Sequence, residues 1–262
     1  EVADEAAHRL YRERTSTDLA HLFTRRGHRT VLIEPAIVHP YPEAARLGFV
    51  ETLFAADLGY RGPALGWVTM PDQFTLAAFE RLVRPAAPAE RVPVFAQVVL
   101  VGSHAPFTPR ASLADWDRIG DGRIFGELPL RGGPPLEVWA DADRRRAAYA
   151  AALDLSLASL EAFTARVVDR RTLLVLVGDH EPAALVTGRP GSRAVPIHAI
   201  SGDPTLLEPF RAWGFGPGLR PPSDAPARPM AAFRAFLVRA FSERPSPAAS
   251  AGAPRRGPGD GA

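Results

Sequence analysis

Asp179 and His180 stand side by side, followed by Glu181 and Pro182, directly after the apolar run Leu173-Leu174-Val175-Leu176-Val177 and Gly178. Five apolar residues without a polar break read as a strand buried on both faces. In open α/β sheets, ligands bind beyond the carboxyl ends of strands, which is where this polar group falls. A carboxylate and an imidazole ligate metals, and both also move protons. Neighbours on an ideal strand point to opposite faces, so Asp179 and His180 share one metal only if the backbone turns there. Gly178 and Pro182 permit such a turn. The alternative is an Asp-His pair that only hydrogen-bonds locally in an exposed loop.

A second apolar run, Val94 to Val101, ends the same way, at Gly102-Ser103-His104-Ala105-Pro106-Phe107. Past the first strand end lie Arg189 and Arg193, either partners for phosphate or sulfate oxygens or plain surface arginines. His39 and Trp67 fall in a long loop and either line a pocket or pack. His198 sits within a strand, which suits a core or edge histidine better than a ligand.

Composition narrows the classes. The 262 residues suit one large α/β domain or two small ones, and 46% hydrophobic with 23% charged is ordinary for a globular chain. Every basic residue counted as Lys+Arg is arginine, yet the formal net charge is only +2. No basic tract with interleaved aromatics is present, which argues against nucleic acid. The absence of cysteine removes disulfides, thiolate metal sites and a cysteine nucleophile. No apolar run approaches the roughly 20 residues that span a bilayer. The chain starts at Glu1 without a signal-peptide pattern, which suggests a fragment or a processed chain.

The elements that position these residues follow from pattern. Thr15, Ser16, Thr17 and Asp18 are cap candidates for a helix carrying Leu19, Leu22 and Phe23, with Gly27 beyond its end. Thr30 to Ile33 is a short buried strand. Ala36 to Gln73 reads as a long loop, the kind that is more often functional than idle. Helices are expected over Phe74–Arg84 and Asp141–Val168, the second burying Tyr149, Leu153, Leu157, Leu160 and Phe163. Val195–Ile200 reads as a strand, and short helices near Leu206–Trp213 and Met230–Phe241 complete a domain over residues 1–241. Residues 242–262, rich in Pro, Ala, Gly and Arg, are expected to be a disordered tail.

At this point the motifs carry a family likeness. The strand ending Gly178-Asp179-His180 resembles the metal-binding strand of the alkaline phosphatase and sulfatase superfamily. Ser103-His104-Ala105-Pro106-Phe107 resembles a Ser-His-x-Pro-Phe/Tyr segment of its membrane-anchored transferases. The step from Leu22-Phe23 through Gly27-His28-Arg29-Thr30-Val31, then Gly48-Phe49 and Gly66-Trp67 with Asp72, keep the order found in lipoteichoic acid synthases and phosphoethanolamine transferases. The likeness spans roughly Leu19 to Phe241.

The resemblance implies an α/β fold of three layers with a mostly parallel central sheet flanked by helices, incomplete at its N-terminus. It implies a divalent metal, zinc, manganese or magnesium, held in part by Asp179 and His180. His104 would contact substrate or a second metal, and Arg193 is the arginine assigned to substrate. The substrate would be a phosphate or sulfate ester, free or lipid-linked. The parent protein would be anchored in a bacterial inner membrane with its catalytic domain in the periplasm. The family's Ser or Thr nucleophile and first acidic ligand lie upstream of the Leu19 helix, so this chain is expected to lack them and to be inactive by itself. Thr15, Ser16 and Thr17 read as helix caps. Glu181 departs from the small residue usual after Asp-His and reads as a solvated loop carboxylate. A catalytically inactive domain that binds an anion or a partner protein is the alternative.

Two architectural expectations follow. Val94–Val101 and Leu173–Val177 should run parallel in one sheet, and finding them antiparallel or in different sheets removes the basis for the family assignment. Asp179 and His180 should converge on one cavity with His104 at its rim.

Overall fold

The structure is a computed structural model and describes residues 18–84, 92–189, 191–221, 225 and 227–242. Thr15, Ser16 and Thr17, and all but the first residue of the expected tail, lie outside the described residues.

The fold class is α/β: a parallel three-stranded sheet with helices around it. Helix α1 (Leu19–Arg25) is capped by Asp18, whose side chain accepts from His21 N. Gly27, at φ 79°, turns the chain into strand β1 (Arg29–Glu34). Thr30 to Ile33 are buried, because β1 is the middle strand between β2 (Glu51–Phe54) and β3 (Val94–Val98). Both pairings are parallel, with Val31 opposite Glu51 and Ala96. Buried Thr30 keeps its hydroxyl bonded to Thr24 Oγ1 at 2.7 Å and accepts from Val50 N at 3.0 Å. Arg29 reaches across to Glu51 at 2.6 Å, tying β1 to β2.

Strand β2 was read as loop. Its four residues are too few to show a period, and the strand forms by docking on β1 rather than from local preference.

Helix α2 (Asp72–Val83) packs Phe74, Leu76, Ala78, Phe79 and Val83 into the main core. That core also takes Val31 and Ile33 of β1 and Phe125 of the following loops. From α4 (Ala142–Val167) it takes Phe163 and Val167. Asp141 caps α4 by accepting from Arg144 N at 2.8 Å, and this bond holds its carboxyl below the usual carboxylate range.

The inward face of α4 differs from expectation. Ala148, Ala152, Ser156, Ser159, Phe163 and Val167 are buried, whereas Leu157 is 52% exposed and Leu153 36%. Small side chains let α4 approach α2 closely, and that proximity brings Ser156 onto Asp72. The short helix α3 (Pro135–Ala140), absent from the sequence-based expectation, adds Val138 to a second cluster with Phe107, Ala148, Ala152 and Val186 of the short helix α5 (Ala184–Thr187).

Strand β4 (Leu173–Val177) forms where expected, but the pairing is a correction. It pairs antiparallel with β5 (Ile197–Ser201), Leu173 opposite Ser201 and Val177 opposite Ile197, in a separate two-stranded sheet. β3 pairs with β1 alone among the described residues. The two strands expected in one parallel sheet therefore lie in different sheets, which removes that basis for the family assignment. Nor is β4 buried on both faces. All five residues are partly exposed, Val177 by 48%, because no described strand covers its outer edge.

Contacts divide the chain between Leu207 and Glu208, inside helix α6 (Pro204–Ala212). The smaller unit is held by stacked aromatic rings. Trp213 lies at 4.4 Å and nearly coplanar with Phe236 of helix α7 (Met230–Ser242), and Phe210 meets Phe236 edge-on at 5.2 Å.

Candidate functional site

Asp179 and His180 follow β4 and approach each other, but on the surface of the chain rather than in the cavity expected of them. His180 Nε2 lies 3.4 Å from Asp179 Oδ2, and both side chains are exposed. Asp179 Oδ1 accepts from His180 N at 2.8 Å, which folds the carboxylate back towards the ring. His180 Nδ1 is 2.8 Å from Glu181 O, a carbonyl that can only accept. His180 Nδ1 therefore donates, which leaves Nε2 as the ring nitrogen that would ligate a metal. The pair thus fits a divalent metal in donor chemistry. Two side chains do not fill a shell of four or more, and no group of three or more metal-ligating side chains occurs among the described residues.

Glu181 is a correction to the solvated carboxylate expected from the sequence. Its carboxylate accepts from Ser192 N at 2.8 Å and pairs with Arg189 at 3.4 Å, so it closes the loop that leads from β4 to β5. Arg189 is thereby committed to Glu181, while Arg193 is exposed and projects from the same loop. Glu181→Ala is expected to cost about 0.5–1 kcal/mol, since water takes up the exposed Ser192 N–H, and to raise proteolysis of the 191–194 segment, read by limited digestion. Unchanged cleavage would show that the carboxylate does not hold the loop.

His104 follows β3 in a tight turn, with His104 N donating to Val101 O and Phe107 N to His104 O. Its ring stacks on Trp67 at 3.7 Å and 17°, an aromatic platform supplied by the long 36–73 loop. The turn is anchored from beneath by Asp72. Asp72 Oδ1 accepts from Val101 N at 2.9 Å and Gly102 N at 2.8 Å, and Oδ2 accepts from Ser156 Oγ at 2.5 Å. Burial pushes the Asp72 carboxyl up against the pull of these three donors. A Cβ at position 102 would stand 2.5 Å from Asp72 Oδ2, so only glycine fits there.

Phe107 has φ 66°, the left-handed region that costs a non-glycine residue about 1 kcal/mol. Its buried ring offsets that strain. It stacks on Trp139 at 5.8 Å and meets Tyr149 at 5.4 Å.

Tyr149 relates the two strand ends. Its phenol is pushed up by burial and then by the charges of Asp179 and Glu181, while its ring packs on Phe107. Val186, just after the Asp-His-Glu-Pro segment, joins Phe107 in the same cluster. The loops following β3 and β4 therefore meet over the N-terminal half of α4. His39 is exposed, and His198 is half-buried on β5.

Asp72 and Tyr149 are the residues whose roles sequence reasoning missed. Asp72 looks like an ordinary first-turn acid of a helix, and Tyr149 like one more core position.

No protein-family model matches the chain, and no curated protein matches it by sequence. Among solved structures, the lipoteichoic acid synthase LtaP of Listeria monocytogenes is similar, with 16% sequence identity and a TM-score of 0.48. The similarity covers 66% of this chain and 39% of that one, so the chain spans well under half the length of this neighbour.

Proposed function

We propose that this chain carries part of a sulfatase-like, metal-dependent domain for phosphoryl or sulfuryl transfer or ester hydrolysis. Asp179 and His180 are two ligands of a divalent metal, zinc, manganese or magnesium. The observation that supports this is their 3.4 Å approach, with Nδ1 of His180 occupied by Glu181 O and Nε2 left for a ligand. When bound, such a metal lowers the pKa of a hydroxyl nucleophile and neutralises charge on the transferred group.

The chain's own residues position the substrate. His104, fixed on Trp67, offers its ring to an ester oxygen, and Arg193 offers a guanidinium to the anionic group. The substrate class is a phosphate or sulfate ester, free or lipid-linked. In a parent protein the domain would be anchored at a bacterial inner membrane and face the periplasm. No described helix is long and apolar enough to cross a membrane.

Calorimetric titration with zinc, manganese and magnesium tests the ligand pair. Weak binding is expected, because two protein donors leave the shell to water. Asp179→Ala and His180→Ala are each expected to weaken it about tenfold or more. Affinity equal to that of the parent chain in both variants would remove the proposed centre. Incubation with aryl phosphate, aryl sulfate and phosphodiester probes separates the remaining alternatives. No turnover is expected from these 262 residues, to which no nucleophile is assigned. Metal-dependent release that vanishes in Asp179→Ala would locate a nucleophile inside them. Metal binding without turnover, in a longer polypeptide as well as in this chain, would favour the inactive anion- or partner-binding domain.

A further inference from the structure

The amino ends of the strands form the edge opposite the candidate site, and arginines gather there. Arg25 and Arg26 close α1 just ahead of β1 and are exposed. Phe23 stacks on Phe95 of β3 at 4.5 Å and holds this end of α1 at the edge. Arg29 opens β1 and reaches the end of α2, donating from Nη1 to Val83 O at 3.3 Å and from Nη2 to Leu82 O at 3.4 Å. The next residue of α2's end, Arg84, spans to the end of α4, donating to Val167 O at 2.7 Å and approaching Asp169 at 3.7 Å. Arg170 and Arg171 follow in the exposed turn that enters β4. Bonds therefore link the starts of β1 and β4 through the ends of α2 and α4, and these arginines sit along that line. A helix dipole accounts for a cation in the last turn, as Arg25 in α1, but not for Arg170, which lies beyond α4.

The carboxylates of this edge are already engaged. Glu51 is bonded to Arg29 at 2.6 Å. Asp169 accepts from Arg171 N and from Thr172 Oγ1, both at 2.8 Å. Asp203 accepts from Thr205 N at 3.0 Å at the start of α6. Among the described residues no ion pair joins Arg25, Arg26 or Arg170 to a carboxylate. Two apolar side chains stand at the same edge. Val50, just before β2, is 62% exposed, and Val92, just before β3, is 59% exposed. Exposed valines beside such arginines suit a lipid headgroup layer, where apolar side chains enter the interface and cations meet lipid phosphate. A single-stranded nucleic acid would need exposed rings to stack on. The rings at this edge, Phe23, Phe49 and Phe95, are half-buried and stack on one another.

We propose that this edge docks on an anionic phospholipid surface, with Arg25, Arg26 and Arg170 against lipid phosphates and Val50 and Val92 in the headgroup layer. Such docking sets the orientation of the chain. Asp179 and His180 lie beyond the other end of β4, about 17 Å away along the strand, and so face away from the bilayer. An ester group held there would be soluble or would extend outward from the lipid surface. That consequence rests on the metal pair, whereas the docking does not.

The test is co-sedimentation of the whole chain with phosphatidylglycerol vesicles and with phosphatidylcholine vesicles, repeated at rising salt. Binding to phosphatidylglycerol alone is expected, and it should fall as salt screens the charges. Arg25→Gln with Arg26→Gln should weaken it about tenfold or more, and adding Arg170→Gln should weaken it further. Arg170 lies in a separate exposed turn, so Arg170→Gln alone keeps the test valid if the α1 variant misfolds. Arg144→Gln with Arg146→Gln removes the same charge from exposed positions at the start of α4, on the opposite edge, and should bind as the parent chain does. Equal weakening by the two double variants would reduce the effect to net charge and overturn the proposal. Binding to both vesicle types alike, or to neither, would overturn it as well. Fluorescence titration with a single-stranded oligonucleotide is the last arm, and arginine-dependent binding of the oligonucleotide without binding to vesicles would overturn the lipid assignment.

Discussion

Asp72→Ala should lower stability by about 3–5 kcal/mol, a large part of the roughly 5–15 kcal/mol that holds a domain folded. The substitution removes one side chain and orphans three donors, Val101 N, Gly102 N and Ser156 Oγ. Asp72 is 4% exposed, so water cannot replace the lost acceptor without opening the packing of α2 against α4. The damage should reach the candidate site, because the two orphaned amides begin the turn that carries His104.

Asp72→Asn separates shape from charge. An amide oxygen can still accept from Val101 and Gly102, and its N–H₂ can donate to Ser156, so the loss should be smaller than for alanine. The pH response should change as well. Burial holds the folded carboxyl above its unfolded value. The folded state therefore takes the proton more readily, and the stability this adds is fully present below the unfolded pKa. It is lost as pH rises through the folded pKa. Urea unfolding from mildly acid to mildly alkaline pH should show that decline in the parent chain and a flatter profile in Asp72→Asn. Identical slopes in the two proteins would mean that Asp72 titrates as it does when unfolded.

Phe74→Ala should cost about 3–5 kcal/mol through a different cause, the cavity left in the main core. Phe74 is fully buried, meets Tyr60 edge-on at 4.9 Å and lies under the Arg81 guanidinium at 5.7 Å. Close packing around it leaves little room for collapse: a Cβ at Gly122 would already stand 2.5 Å from the Tyr60 ring and 3.2 Å from Phe74. Phe74→Leu should recover much of the loss. Leu136→Ala, at a residue 87% exposed, should stay within about 0.5 kcal/mol of the parent and serves as the control. Thermal or urea unfolding reads all three. A loss below 1 kcal/mol for Phe74→Ala would mean that the core relaxes around the gap, contrary to the packing described.

The two substitutions should also differ in what they do to the metal binding proposed for Asp179 and His180. Phe74 lies in the main core, while Tyr149, whose phenol feels the charge of Asp179, belongs with Phe107 and Val186 to the second cluster. At temperatures where both variants are folded, metal affinity should be unchanged in Phe74→Ala. Asp72→Ala, which loosens the loop leading into Phe107, is the variant expected to weaken it.

Local pattern was enough to locate the elements that can be read one segment at a time. The apolar runs ending at Glu34, near Val98 and at Val177 are strands because each is a short aliphatic stretch bounded by glycine, proline or charge. The alanine-rich stretch after Asp141 is a helix because its cap and its period agree. The same runs placed Asp179, His180 and His104 just beyond strand ends, since a buried strand must stop where polar side chains begin. Pairing is not a property of one segment. Whether β4 lies beside β3 or against β5 depends on backbone groups far apart in sequence, and an apolar run looks the same in either sheet. The inward face of α4 escapes the pattern for a related reason: leucines favour burial one residue at a time, but Ala148 and Ala152 are buried with Phe107, Val138 and Val186, and Ser156 on Asp72, all neighbours distant in sequence. Asp72 and Tyr149 gain their meaning only from partners that folding brings to them. A carboxylate's burial and a phenol's neighbouring charges are set by tertiary contacts, and no spacing along the chain encodes them.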